Sequence, residues 1–144
     1  MILSTTKRTV EVSEDLRVDR DSNGHIRVWL GRDVIASEDN LERAARWALT
    51  IHENPGNVAM LGLGTGNLLR LLPGVPATVY EYYQPLIDWF QAEFPWACKN
   101  VTFVPGDCRE TLSGTYRYIV EDTGLAIPDP ELATHLKDGG LILR

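Results

Sequence analysis

The stretch NVAMLGLGTGNLLRLL, Asn57 to Leu72, decides the fold of this chain. An apolar run leads into three alternate glycines, Gly62, Gly64 and Gly66, and an apolar helical pattern follows. Glycine at such a junction permits a tight turn, close approach of a ligand to the backbone and close helix packing. The stretch therefore predicts a strand, a ligand-binding glycine loop and a helix whose first N–H groups can face an acceptor.

The composition around this stretch is that of an ordinary globular protein. The 144 residues are 44% hydrophobic and 24% charged, with a formal net charge of -6. That charge gives no general attraction to phosphate backbones or anionic lipid, so we expect neither nucleic acid nor membrane partners. No signal peptide or membrane span is evident, which predicts a cytoplasmic protein. Cys98 and Cys108 lack metal or disulfide spacing, and both are expected to be reduced thiols.

Upstream of the glycine loop, two patterns follow each other. Apolar and polar residues alternate around the turn-forming DSNG, which predicts a β-hairpin extension over residues 1–36. The run SEDNLERAARWALTIHENPG then predicts a helix with Ser37 as its N-cap, ending before Asn54-Pro55-Gly56. We place the boundary of the ligand-binding domain there, over residues 37–144.

Downstream, short apolar runs alternate with helical segments. ATVYEYY, VTFVPGD and YRYIVED predict strands, QPLIDWFQAEF predicts a helix, and DPELATHLKDGGLILR predicts a helix, a Gly-Gly turn and a final strand. Buried strands with intervening helices pair in parallel and are covered on both faces. The sequence therefore predicts an α/β fold with a doubly wound, mostly parallel Rossmann-like sheet.

Two acidic residues stand where these strands end. Glu81 follows the first glycine by about twenty residues, where a carboxylate can accept hydrogen bonds from ribose hydroxyls. Asp107 can accept from an adenine amino group while the Cys108 amide donates to a ring nitrogen, or it can cap the helix that follows. Tyr82 could wall the nucleoside or stack on a cation. Together these residues predict an adenosine pocket.

Other nucleotide and metal sites fit the sequence less well. The loop lacks the Lys-Ser/Thr of a P-loop, and GLGTGN has its third glycine one residue earlier than a dinucleotide fingerprint. The three histidines, His25, His52 and His135, share no metal-ligand spacing, so no metal site is predicted.

The glycine loop, Glu81 and the GDC segment resemble the class I S-adenosylmethionine-dependent methyltransferases, and within them the spermidine synthases, or polyamine aminopropyltransferases. Met60 and the aromatic-Pro end of the helix after YEYY are further points of similarity. The resemblance implies S-adenosylmethionine or its decarboxylated form as cofactor, and a small-molecule acceptor. It also implies that Gly62 and Gly64 lie against the nucleoside and its tail, and that Asp122 lies near the reacting sulfonium.

The chain departs from the spermidine synthases in the acceptor half of the site. Leu125 stands where that family has a second Asp that accepts the proton of the attacking amine. Ala36 and Arg43 replace its substrate-contacting Gln and Tyr. The polyamine site is therefore expected to be lost, and the end at Arg144 suggests a short version of the fold.

Three kinds of function stay open on this sequence. The first is a small-molecule transferase in which Asp122 takes part in the reaction. The second is an adenosyl-binding regulatory module that has lost catalysis. The third is a nucleotide-dependent enzyme outside this family, such as a small dehydrogenase. We also expect a homodimer, because the last strand would leave an apolar edge at which Leu141 and Leu143 can pair with a second copy.

Overall fold

The computed structural model describes residues 9–11, 15–38 and 41–144, without the side chains of residues 9–11. Part of the predicted N-terminal extension therefore lies outside the described residues. The rest forms an antiparallel sheet in the order β1-β2-β3-β4. Its strands are β1 (Thr9–Glu11), β2 (Leu16–Arg20), β3 (Ile26–Leu30) and β4 (Asp33–Ser37). At the DSNG turn the Asp21 carboxylate accepts from the amides of Asn23 and His25, which fixes the hairpin.

Helix α1 (Leu41–Glu53) follows and ends where the Asn-Pro-Gly signal predicted. The prediction of Ser37 as its N-cap is wrong, because Ser37 is the last residue of β4. Pairing of Ser37 with Arg27 on β3 continues the sheet through this position. A neighbouring strand thus overrides the local preference of serine for helix starts.

The second half of the chain forms the predicted parallel sheet, in the order β7-β6-β5-β8-β9. Its strands are β5 (Val58–Leu61), β6 (Ala77–Glu81), β7 (Val101–Pro105), β8 (Tyr116–Glu121) and β9 (Leu136–Leu143). The intervening helices are α2 (Asn67–Leu71), α3 (Gln84–Glu93), α4 (Cys108–Thr111) and α5 (Asp129–Ala133), with a 3-10 turn at Pro95–Ala97. The strand order reverses on either side of β5, and ligands of such sheets bind at the carboxyl ends of the strands at that point.

The end of the chain differs from its prediction. Helix α5 is short, and β9 continues through Gly139-Gly140 with a local irregularity, where a turn was expected. The pairing register of β9 shifts opposite Tyr116 and Tyr118. A Cβ atom on Gly140 would lie 2.9 Å from the Arg117 carbonyl oxygen, so glycine is what lets the strands stay this close at the irregularity.

Strand β9 lies beside β8, as predicted, and forms an edge of the sheet. Among the described strands, only β8 pairs with it. Leu141 is 46% exposed at this edge, whereas Leu143 packs partly against the core. The homodimer that was expected here stays a prediction.

Both sheets share one hydrophobic core. Leu16 and Val28 of the antiparallel sheet pack in the same cluster as Met60 and Phe90 of the parallel half. A smaller cluster covers the opposite face of the parallel sheet. The antiparallel sheet is also tied to α2, because the buried Glu38 carboxylate lies 2.7 Å from Arg70. This packing brings β4 beside the carboxyl ends of the parallel strands.

Candidate functional site

A cleft of about 690 Å³ opens at the carboxyl ends of β5, β6, β7 and β8. Its volume falls in the usual range of small-molecule sites, roughly 300–1,000 Å³. The cleft is lined by seven of the eight residues that the sequence singled out: Gly62, Gly64, Glu81, Tyr82, Asp107, Cys108 and Asp122. The structure thus brings together residues that are separated by up to sixty positions in the chain.

The first two glycines of the loop shape the floor of this cleft. Gly62 and Gly64 have φ values of 93° and 56°, in the left-handed region that favours glycine. A Cβ on Gly62 would lie 3.0 Å from the Asp122 carbonyl oxygen, so the loop passes tightly against the end of β8. A Cβ on Gly64 would lie 3.7 Å from the Asp122 carboxylate oxygen Oδ2. Glycine at position 64 therefore leaves room in the cleft.

Gly66 has a different role. It is not among the residues that line the cleft, and a Cβ placed on it would lie 1.9 Å from the Phe90 ring. Phe90 is fully buried on α3. Glycine at position 66 is therefore explained by the close packing of the loop against α3. No contact with a ligand is needed to explain a glycine at this position.

Glu81 holds the glycine loop at the end of β6. Its side chain is buried, at 6% exposure. Oxygen Oε1 accepts from the Leu63 amide at 3.0 Å, and Oε2 accepts from the Tyr83 amide at 2.9 Å. Burial raises the pKa of the carboxyl, while the backbone amides act in the opposite direction. Each carboxylate oxygen has a further lone pair, so Glu81 can still accept from a ligand in the cleft.

Asp107 caps helix α4, one of the two roles predicted for it. Its carboxylate accepts from the Arg109 amide at 2.9 Å and lies 2.6 Å from the Arg109 guanidinium. The hydrogen bond from the Arg109 side chain is the largest cause that lowers the pKa of Asp107. The contact with an adenine stays a prediction. Next to it, Cys108 is buried, and burial raises the pKa of its thiol.

Asp122 forms an ion pair across the cleft with Arg43 of α1. Arg43 Nη2 lies 2.7 Å from Asp122 Oδ1, and each side chain is 35% exposed. Burial raises the pKa of Asp122, and the charge of Arg43 opposes that rise. The Arg43 guanidinium also lies over the Trp47 ring, 4.9 Å from its centroid. The predicted catalytic carboxylate is thus half-buried and held in place by a cation.

The wall contributed by β4 was not predicted from the sequence. Val34 and Ile35 line the cleft and are 45% and 44% exposed. Leu125, in the loop after β8, lines it as well and is 44% exposed. No local motif marks β4 as part of a site, because its place there depends on how the two sheets pack. Ala36 on β4, Arg43 on α1 and Leu125 did have a signal, through the alignment that the family resemblance suggested.

Two other kinds of feature are absent from the part of the chain that the structure describes. Within residues 9–11, 15–38 and 41–144, no group of three or more His, Cys, Asp or Glu side chains is placed to hold a metal ion. In the same part of the chain, no helix is long and apolar enough to cross a membrane.

Comparison with solved structures identifies the fold. The glycopeptide N-methyltransferase MtfA complexed with S-adenosylmethionine is 19% identical, with a TM-score of 0.57 over 71% of this chain and 52% of that one. A methyltransferase from Thiobacillus denitrificans with bound S-adenosylhomocysteine is 24% identical, with a TM-score of 0.56 over 70% and 46%. The CcbJ methyltransferase from Streptomyces caelestis is 22% identical, with a TM-score of 0.53 over 69% and 46%.

The chain has the Rossmann-like fold of the S-adenosylmethionine-dependent methyltransferases, as predicted. It spans about half the length of the structures it matches. No protein-family model and no curated protein matches it. The similarity to the spermidine synthases in particular stays a prediction.

Proposed function

We propose that the cleft binds S-adenosylmethionine and that the chain transfers its methyl group to a small molecule. The observation that carries the proposal is the buried Glu81 carboxylate, which lines the cleft and is held by the Leu63 amide of the glycine loop. An acceptor in this position suits the two hydroxyls of a ribose at the end of the second parallel strand. The methyltransferase fold supports the same ligand.

The other lining residues fit the rest of such a ligand. Asp107 and the Cys108 amide meet the adenine, and the Tyr82 ring, 65% exposed beside Glu81, offers it a face. The absence of a side chain at Gly64 leaves space for the thioether tail beside Asp122. The adenine, the ribose and the thioether thus each have a place in the cleft.

When bound, S-adenosylmethionine supplies an electrophilic methyl group and becomes S-adenosylhomocysteine. Asp122 is the residue that we assign to the acceptor: its carboxylate takes the proton that a hydroxyl or amine loses. Burial raises the pKa of Asp122 in the direction useful for a general base, and the charge of Arg43 acts in the opposite direction by favouring the ionised form. Arg43 also orients the carboxylate through their 2.7 Å contact.

A second candidate is an adenosyl-binding module without catalysis. The Arg43–Asp122 ion pair favours it, because a carboxylate already neutralised by a cation is a weaker base. Decarboxylated S-adenosylmethionine is the alternative cofactor that the spermidine synthase resemblance implies, with aminopropyl transfer as its reaction.

Product analysis separates these functions. The chain is incubated with S-adenosylmethionine, or with its decarboxylated form, and a panel of alcohols, phenols and amines, and the products are identified by mass spectrometry. Release of S-adenosylhomocysteine, lost in Asp122→Asn and kept in the surface control Asp88→Asn, supports the proposal. Methylthioadenosine would show aminopropyl transfer instead. Saturable binding of S-adenosylmethionine without any product would favour the second candidate, the adenosyl-binding module without catalysis.

A further inference from the structure

Three exposed apolar side chains line the cleft apart from the residues assigned to the adenosyl ligand. Val34, Ile35 and Leu125 are each between 44% and 45% exposed. Single exposed apolar residues are common on protein surfaces and need no explanation. A group of them in one concave site marks a surface that is covered when a ligand binds.

Two of these residues, Val34 and Ile35, lie at an irregularity in the pairing of β4 with β3. Trp29 pairs with Val34, and Val28 pairs with Ala36, so Ile35 has no partner of its own on β3. In a regular strand, Val34 and Ile35 would point to opposite faces of the sheet. A β-bulge interrupts this alternation and redirects a side chain. Val34 and Ile35 are both among the residues that line the cleft.

Four of the charged side chains that line the cleft form two ion pairs within the protein. Arg43 lies 2.7 Å from Asp122, and Arg109 lies 2.6 Å from Asp107. A cationic acceptor would compete with Arg43 for Asp122, and an anionic acceptor would compete with Asp122 for Arg43. An uncharged acceptor leaves the ion pair intact and covers the apolar wall.

We infer that the acceptor is an uncharged, largely apolar molecule with one hydroxyl or neutral amino group, held between the Val34–Ile35 wall and Leu125. This inference rests on the proposed function, since it assigns the Glu81 side of the cleft to the adenosyl ligand. It narrows the acceptor to a class that excludes polyamines and carboxylates. The single polar group of the acceptor meets Asp122.

The test uses 2-naphthol as an uncharged probe, 2-naphthoate as an anionic probe of similar shape, and 1,4-diaminobutane as a cationic probe. Binding to the full chain is measured by equilibrium dialysis with saturating S-adenosylhomocysteine. We expect 2-naphthol to bind at least tenfold more tightly than either charged probe. Ile35→Gln and Leu125→Gln should each weaken its binding about four- to fifteenfold, the equivalent of one or two lost methylene contacts.

Leu49→Gln is the matched control, because Leu49 is 57% exposed on α1 and does not line the cleft. It should leave 2-naphthol binding unchanged, and unaltered S-adenosylhomocysteine binding in each variant shows that the variant is folded. A charged probe that binds as well as 2-naphthol, or Ile35→Gln and Leu125→Gln variants that bind like the wild type, would overturn the inference.

Calorimetry with S-adenosylhomocysteine alone separates this inference from the proposed function. Binding of S-adenosylhomocysteine without binding of 2-naphthol contradicts the apolar acceptor and leaves the proposed function standing. Binding of 2-naphthol that depends on Ile35, without any heat from S-adenosylhomocysteine, supports the apolar wall and contradicts the proposed function.

Discussion

Arg43 and Asp122 meet at 2.7 Å across the cleft, although 79 positions separate them in the chain. Arg43 lies on α1, and Asp122 directly follows β8. Their contact therefore joins the helix after the antiparallel sheet to the switch point of the parallel sheet. Burial and the charge of Glu121 both act to raise the pKa of Asp122, and Arg43 acts to keep the carboxylate ionised.

Replacing Arg43 should raise the pKa of Asp122 further. Arg43→Gln removes the largest cause that lowers this pKa and leaves the burial that raises it. We expect the titration midpoint of the Asp122 carboxyl, followed by ¹³C NMR, to move to higher pH. The pH dependence of methyl transfer should move to higher pH with it, because a smaller share of Asp122 is ionised at any given pH. Arg46→Gln is the control, because Arg46 pairs with the exposed Glu42 on the same helix and does not line the cleft. An unchanged Asp122 midpoint in Arg43→Gln would contradict the account.

Glu81 should make stability depend on pH in a specific direction. Its folded-state pKa lies above the ordinary value of 4.5 because the side chain is buried. The folded state therefore holds the proton more tightly than the unfolded state, so ionisation of Glu81 opposes folding. Relative to Glu81→Gln, the wild type should be most stable below pH 4.5. The difference in the free energy of unfolding between the wild type and Glu81→Gln should fall as the pH rises through the pKa of Glu81 in the folded state, and should then stay constant. Urea unfolding of both proteins across this pH range measures the difference. A wild type that gains stability relative to Glu81→Gln as the pH rises would contradict this prediction.

Gly66→Ala should destabilise the fold by steric conflict with Phe90. The added Cβ would lie 1.9 Å from the ring at a φ of 73°. Overpacking and left-handed strain together should cost about 2–5 kcal/mol. Gly74→Ala is the control for strain alone, because Gly74 has a φ of 92° and nothing within 4 Å of its Cβ position. Equal losses in the two variants, measured by urea unfolding, would show that the contact with Phe90 is unimportant.

The parallel half of the fold could be predicted because its signals are local. The apolar runs and the glycine loop mark β5 to β8, and Glu81 and Asp107 mark the strand ends that form the cleft. Other features depend on distant neighbours: Ser37 pairs with β3, and Gly139-Gly140 continue β9 beside Arg117. The apolar wall of the cleft belongs to this second group, because it exists only where the two sheets pack together.

The two cysteines should respond differently to a ligand. Burial raises the pKa of both thiols, so alkylation by iodoacetamide at pH 8 should be slow at each. Cys108 lines the cleft, whereas Cys98 lies outside its lining. S-adenosylhomocysteine should therefore slow alkylation of Cys108 severalfold and leave Cys98 unaffected, as read by mass spectrometry of the peptides. Equal protection of both, or of neither, would place the ligand elsewhere.

Titration calorimetry with S-adenosylmethionine and S-adenosylhomocysteine tests the adenosyl site most directly. The account predicts saturable binding to the wild type and to the control variant Glu53→Ala, because Glu53 is an exposed residue at the end of α1. Glu81→Ala should bind about a hundredfold more weakly, the loss of two hydrogen bonds from ribose hydroxyls to a charged acceptor. Thermal unfolding checks that this variant remains folded at the temperature of the titration. No saturable heat with either ligand, or equal affinity in folded Glu81→Ala, would contradict the account.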